Sequence, residues 1–164
     1  IPGADAENVI DCISAYDALE QIGQNVVVIG GGEIGVETGM HLAENGRQVT
    51  VLEMTDTLAA DCTPVHYRSE FIRAWEALSD RLTMHTCARA TAISPEGVRY
   101  VGPDGAERLE KADAVVLAAG LKARRQEALR YAGAGDAFYM IGDCKKVSNI
   151  LWLNQDALGI ANLI

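Results

Sequence analysis

The 164-residue sequence predicts an α/β fold in which a parallel sheet carries a three-stranded antiparallel β-meander. A buried strand, a glycine turn, a helix and a second strand follow one another within about 30 residues, which is the pattern of a βαβ unit. Later, three short extended segments are joined by turns that contain proline and glycine, as in antiparallel pairs. Together these observations indicate a Rossmann-like fold with an added meander.

The composition is that of a folded domain, with 49% hydrophobic and 23% charged residues. Basic residues number 14 and acidic residues 23, so the formal net charge is 14 − 23 = −9. Without a basic cluster or an apolar run near about 20 residues, neither nucleic acid nor a membrane is predicted as a partner. The four cysteines form no CxxC and no metal-ligand spacing, which favours reduced thiols, a cytoplasmic protein and no metal site.

The first two elements are a short helix and the βαβ unit. Ser14 is predicted to cap the helix, with Asp17 reaching back to it as a weak capping box. Residues 25–29 are β-branched and apolar on both faces, as in a buried parallel strand. The next helix covers 34–45 and stops at Asn45-Gly46, and strand 47–52 ends at Glu53.

The later elements are read from their apolar periods and turn residues. Pro64 is expected to begin an amphipathic helix. The predicted elements are helix 64–79, strand 81–85, meander strands 88–94, 97–101 and 106–109, strand 114–118, helix 126–131, strand 137–141 and helix 154–164. Strand 25–29 is expected at the centre of the parallel sheet, between 50–52 and 115–118. Residues 138–141 are expected to fit that sheet poorly.

Gly30, Gly32 and Gly35 spell G-x-G-x-x-G between the strand and the helix of the βαβ unit. In this context the pattern indicates dinucleotide binding. Gly30 permits the tight turn, Gly32 lets backbone N–H groups approach a pyrophosphate, and Gly35 lets helix and strand pack closely. The helix N-terminus adds unpaired N–H donors. The alternative is a glycine turn with a structural role only.

Glu53 lies 53 − 35 = 18 residues after the last glycine of the motif. A carboxylate there can accept hydrogen bonds from both hydroxyls of an adenosine ribose and would repel a 2′-phosphate. Residues 54–57 supply no basic side chain for such a phosphate, so NADH is predicted in preference to NADPH. The alternative is a solvated carboxylate. For Glu37 the sequence leaves open whether it faces a ligand or pairs with His41 at the surface.

Residues 29–37, Ile-Gly-Gly-Gly-Glu-Ile-Gly-Val-Glu, resemble the nicotinamide-nucleotide loop of the pyridine nucleotide–disulfide oxidoreductase superfamily. Leu52-Glu53-Met54 with Ala59-Ala60-Asp61 resembles a narrower branch, the C-terminal half of iron–sulfur flavoenzymes related to 2,4-dienoyl-CoA reductase and enoate reductases. Residues 139–144 resemble the later FAD motif, and Ile1-Pro2-Gly3 resembles the exit from the first FAD segment. The resemblance covers nearly the whole chain.

The resemblance implies a set of cofactor-binding residues and no catalytic side chain. Glu37 would lie near the nicotinamide ribose, Ala119 and Gly120 would line the cleft, and Asp143 would contact the FAD ribityl region. The implied residues are Gly30, Gly31, Gly32, Glu33, Ile34, Gly35, Glu37, Glu53, Ala119, Gly120, Gly142 and Asp143. In the family NAD(P)H reduces FAD, and in the narrower branch electrons pass on to a 4Fe–4S cluster and FMN.

The sequence therefore predicts the NADH-binding domain of a flavin-dependent oxidoreductase, from a parent like 2,4-dienoyl-CoA reductase or an enoate reductase. NADH and the remainder of the flavoenzyme are the implied partners. Residues 25–134 would form the NAD-binding domain, with remnants of the FAD domain at 1–24 and 135–164. Since no second G-x-G-x-x-G precedes the first, we expect the chain alone to be inactive. The alternative is a stand-alone nucleotide-sensing or interaction module without turnover.

Overall fold

The computed structural model describes residues 1–60, 62 and 65–163. The chain divides into two compact units, residues 1–120 and 121–164. The first unit includes residues 1–24, because the strand Val9–Asp11 joins its sheet. The two domain boundaries at 24 and 134 stay predictions. No helix among the described residues has both the length and the apolar character needed to cross a membrane.

The first unit is built on a parallel sheet, as the sequence predicts. In the described residues its strands are β1 (Val9–Asp11), β2 (Asn25–Ile29), β3 (Gln48–Leu52), β4 (Leu82–His85) and β8 (Ala114–Leu117). Their order is β1-β8-β2-β3-β4, and every neighbouring pair is parallel. The predicted placing of β2 between β3 and β8 is confirmed. The carboxyl ends of these three strands therefore meet at one edge, which is where open α/β sheets bind ligands.

The meander forms a separate antiparallel sheet. Its strands within the described residues are β5 (Arg89–Ser94), β6 (Gly97–Val101) and β7 (Glu107–Lys111). This confirms the predicted meander, although β7 extends two residues beyond the predicted end. Val98 and Tyr100 of β6 pack against Val27 and Val115 of the parallel sheet. The meander thus covers one face of the sheet.

Helix packing explains why β2 is apolar on both faces. Val26 and Val28 point away from the meander and share a core with Leu42 of the helix α2 (Glu33–Glu44). Since side chains alternate along a strand, Val27 and Ile29 face the meander instead. α2 ends at the predicted stop, with Asn45 as its C-cap and Gly46 at φ +84°.

Two further helices of this unit agree only partly with the predictions. In α1 (Ser14–Asp17) the capping prediction for Ser14 is wrong, because Ser14 is the first helical residue. The Asp11 carboxylate accepts hydrogen bonds from the N–H groups of Ile13 and Ser14, and each bond is 3.0 Å long. A charged acceptor just upstream thus takes the capping role. α3 covers Val65–Glu76, and its predicted start at Pro64 lies outside the described residues.

The second unit contains α4 (Arg125–Leu129) and α5 (Ile150–Ala161). α5 begins four residues earlier than predicted, because the Asn149 side chain accepts a hydrogen bond from the Trp152 N–H over 3.2 Å and caps the helix. The predicted strand 137–141 is wrong, since these residues form no strand. A strand is stabilised by backbone bonds to a neighbour, and the part of the chain described here offers that segment no pairing strand.

Candidate functional site

A cleft of about 430 Å³ opens at the carboxyl ends of β2, β3 and β8. The glycine turn, the start of α2, the segment after β3 and the start of β5 form its walls. It brings together eight of the predicted cofactor-binding residues: Gly30, Gly32, Glu33, Ile34, Gly35, Glu53, Ala119 and Gly120. These residues come from three separate stretches of the chain, 30–35, 53 and 119–120, so the fold alone makes them neighbours.

Two glycines of the motif stand where no side chain fits. Gly30 has φ +109°, and a Cβ there would lie 2.5 Å from the carbonyl oxygen of Ala118. A Cβ on Gly35 would lie well under 3.0 Å from the carbonyl oxygen of Gly30. The first turn of α2 therefore packs directly on the end of β2. This close approach leaves the turn as a cradle of bare backbone.

The N-terminus of α2 faces this cradle. Gly32 is the N-cap in an extended conformation, and no side chain among the described residues caps the helix there. Ile34 and Gly35 lie in the first turn, where backbone N–H groups have no partner within the helix. Such a terminus favours an anion through its N–H donors and its partial positive charge.

Glu53 holds the glycine turn in place. The N–H of Gly31 donates to Glu53 Oε2 over 2.6 Å. The N–H and the hydroxyl of Thr55 donate to Oε1 over 2.7 and 2.8 Å. A carboxylate offers about four acceptor positions, so these three bonds leave about one, on Oε2. The predicted pair of ribose hydroxyls would therefore have to share a single remaining position.

The Glu53 carboxyl group is charged at neutral pH although its residue is only 8% exposed. Burial by itself would raise the pKa of Glu53, but the hydrogen bonds from Thr55 and Gly31 together outweigh it and hold the pKa below the usual 4.5. The site thus carries a buried negative charge compensated by backbone and hydroxyl donors.

This lowered pKa predicts that acid destabilises the fold. As the pH falls, the unfolded chain takes up a proton at Glu53 near pH 4.5, before the folded chain does. The contribution of Glu53 to the free energy of unfolding is therefore fully present above that pH, and it is lost as the pH drops through the lower pKa of the folded chain. Urea unfolding at pH 7 and at pH 4 should show this loss. A Glu53→Gln variant should lose less stability between the two values, and an equal loss in both proteins would contradict the assignment.

Arg89 is a residue of the cleft that the sequence analysis missed. It is exposed and lines the cleft beside Ala88, whose N–H donates to the carbonyl oxygen of Glu53 over 2.7 Å. Residues 54–57, which directly follow Glu53, contain no basic side chain, and Arg89 is distant from them in the sequence. The chain returns to that strand end after β4, and this return could have been inferred from the predicted strand 81–85 running beside β3.

Four predicted residues lie outside the lining of the cleft. Gly31 is buried behind it, with its N–H bound by Glu53. Glu37 lies further along α2, and the neighbouring His41 ring stacks on Tyr16 with 4.5 Å between ring centres. Gly142 and Asp143 belong to the second unit, where Asp143 Oδ1 accepts a hydrogen bond from the Ser148 N–H over 3.2 Å. The binding roles of all four stay predictions.

Comparison with known proteins finds relatives among oxidoreductases. The chain is 37% identical over 125 residues to an NADH oxidase of Thermoanaerobacter brockii, covering 73% of this chain and 19% of that protein. It is 34% identical over 161 residues to a nitric oxide reductase FlRd-NAD(+) reductase of Vibrio vulnificus, covering 84% of this chain and 40% of that protein. The chain thus spans less than half the length of either relative.

A solved structure shares the same fold over nearly the whole chain. A complex of 2-naphthoyl-CoA reductase with 2-naphthoyl-CoA matches with a TM-score of 0.83 and 29% identity, covering 91% of this chain and 22% of that one. Residues 1–150 match the family described as pyridine nucleotide-disulphide oxidoreductase. The glycine turn and the strand-end glutamate are thus parts of an oxidoreductase domain, and the chain belongs to the pyridine nucleotide-disulphide oxidoreductase family.

Proposed function

We propose that this chain is the NADH-binding domain of a flavin-dependent oxidoreductase, and that it orients NADH for hydride transfer to FAD. The observation that carries the proposal is the bare-backbone cradle at Gly30–Gly35, fixed by Glu53 at the carboxyl edge of the parallel sheet. A glycine turn at this edge of such a sheet is the usual seat of a dinucleotide.

The residues fit such a cofactor part by part. The pyrophosphate would lie against the glycine cradle and the first turn of α2, where no Cβ blocks the backbone. The free acceptor position on Glu53 Oε2 would take a ribose hydroxyl. Because Glu53 keeps its negative charge, the cleft favours NADH over NADPH. Ala119 and Gly120 would form the wall opposite Glu53, at the end of β8.

The chemistry of hydride donation belongs to the dihydronicotinamide ring of NADH when it is bound. The contribution of this chain is positional, because a held cofactor approaches its acceptor in one orientation. No side chain in the cleft has to act as acid, base or nucleophile. The hydrogen bond from the Gly31 N–H to Glu53 Oε2 fixes the glycine turn, so the cradle is already formed in the chain without a ligand.

We propose that residues 135–164 are a piece of the FAD domain, in which Asp143 approaches the flavin ribityl chain, and that residues 1–24 link the two domains. The helix α5 supports this, because it has no buried residue and exposes Ile150, Leu151 and Trp152 by 75%, 61% and 58%. A helix this apolar is normally covered. The similarity to 2-naphthoyl-CoA reductase supports a parent that reduces an acyl-CoA. We propose in addition, from the sequence resemblance alone, that this parent is like 2,4-dienoyl-CoA reductase or an enoate reductase and carries FMN and a 4Fe–4S cluster in its other half.

The test uses the 164-residue chain as it stands. We expect it to bind NADH in a calorimetric titration, to purify without stoichiometric FAD and to oxidise no NADH with dyes or quinones as acceptors. The reason is that the glycine cradle is complete, whereas a single contact from Asp143 cannot hold a flavin. A visible absorption spectrum and an NADH-consumption assay provide the remaining measurements. A flavin band, turnover without added flavin, or no NADH binding would contradict the proposal.

A further inference from the structure

We infer that Arg89 receives the 2′-phosphate of NADPH, so that this cleft binds NADPH in addition to NADH. The inference rests on the proposed function, since it assigns a role at the same dinucleotide site. It modifies the conclusion from Glu53 alone, because an acidic strand end by itself predicts that a 2′-phosphate is rejected.

The position of Arg89 places it at the adenosine end of the cleft. In a site of this kind the acidic residue at the end of the second strand of the βαβ unit marks the adenosine ribose. Two backbone hydrogen bonds hold the segment before Arg89 beside this acidic residue. The Ala88 N–H donates to the Glu53 carbonyl oxygen and the Cys87 N–H donates to the Thr55 carbonyl oxygen, each at 2.7 Å. Arg89 follows directly and lines the same cleft as Glu53 and Thr55.

The charges around the cleft leave Arg89 available for an anion. Among the described lining residues it carries the only basic side chain, against the acidic Glu33 and Glu53. No carboxylate in the described part of the chain forms an ion pair with Arg89. Its guanidinium is exposed and presents several N–H donors in a planar fork, the arrangement that suits a phosphate.

Glu53 opposes a 2′-phosphate less than a bare carboxylate would. Three donors already surround its oxygens, two from Thr55 and one from Gly31. These donors direct their positive ends at the carboxylate and offset part of its field. The ratio of NADPH affinity to NADH affinity then depends on both Glu53 and Arg89, and the two affinities are closer to each other than either residue alone would make them.

The experiment compares two ligands that contain only the adenosine half of the cofactor: ADP, and 2′,5′-ADP, which adds the 2′-phosphate. Calorimetric titrations would use the parent chain, Arg89→Ala and Arg89→Lys. The control is Arg99→Ala, an exposed arginine on the neighbouring strand β6 that does not line the cleft. Thermal unfolding followed by circular dichroism confirms that each variant is folded.

We expect Arg89→Ala to weaken 2′,5′-ADP binding by about tenfold or more and ADP binding by less than about twofold, since the lost bonds join two charged groups. Arg89→Lys should retain part of the difference in affinity between 2′,5′-ADP and ADP, and Arg99→Ala should change the affinity for neither ligand. An equal loss for both ligands, or no loss for either, would overturn the role of Arg89 while leaving the dinucleotide site intact. A folded parent chain that binds neither ligand would overturn the proposed function, and this inference with it.

Discussion

A Gly35→Ala variant is expected to lose NADH binding and a large part of its folding stability. The new methyl group would meet the carbonyl oxygen of Gly30 well inside contact distance, and the methyl of Ala118 lies 3.2 Å away. Overpacking a core with side chains that can move costs about 1–3 kcal/mol. Here the obstacle is backbone, so we expect the upper end of that range or beyond, together with a displaced cradle.

Gly39→Ala on the same helix is the matched control. Its nearest atom is a methyl group of Val51 at 3.0 Å, which belongs to a side chain and can shift by a few tenths of an ångström. Alanine also has a helix propensity about 1 kcal/mol better than glycine, which offsets part of the crowding. Urea unfolding and NADH titration of both variants provide the comparison. If Gly35→Ala bound NADH as well as Gly39→Ala does, the cradle would not be the nucleotide seat.

Local pattern was enough to predict the centre of the fold. The run 25–29 is apolar at every residue after Asn25, and only a strand covered on both faces accommodates this. Helix and meander provide the two covers, as the predicted element order requires. The Asn45-Gly46 stop was predictable because Gly46 adopts a positive φ that other residues rarely take.

The sequence predictions were wrong where a contact between residues decides which of two possible local structures forms. Ser14 and Asp11 can each cap α1, and the charged carboxylate takes the role because it reaches two N–H groups. Residues 137–141 have strand-like composition, but a strand also needs a partner. At the site, Glu53 was predictable from its spacing. The hydrogen bonds of Glu53 to Gly31 and Thr55 depend on tertiary contacts, which a local sequence pattern does not contain. The same holds for Arg89, which lies in the cleft because the chain returns to the end of β3.

Replacing Glu53 by alanine should affect both the cradle and the cofactor. The change removes the acceptor of the buried Gly31 N–H and of two partly buried Thr55 donors. An unsatisfied buried donor costs about 1–3 kcal/mol, so we expect a loss of stability of that order. NADH affinity should fall by about tenfold or more, because a hydrogen bond to a charged acceptor contributes about 1.5–3 kcal/mol. Asp56→Ala, which removes an exposed carboxylate from the same loop, should leave both quantities nearly unchanged.

Glu53→Gln separates the charge of this residue from its bulk, and its largest effect should be on the choice of cofactor. The amide keeps the size of the side chain and one accepting oxygen, but it cannot accept from both Gly31 and Thr55 without turning its NH₂ group toward one of these donors. NADH binding should therefore weaken. The negative charge that opposes a 2′-phosphate is gone, so the NADPH-to-NADH affinity ratio should rise by about tenfold. Titrations of parent and variant with both cofactors measure this ratio. An unchanged ratio would mean that Glu53 acts on the glycine turn alone and does not discriminate between the cofactors.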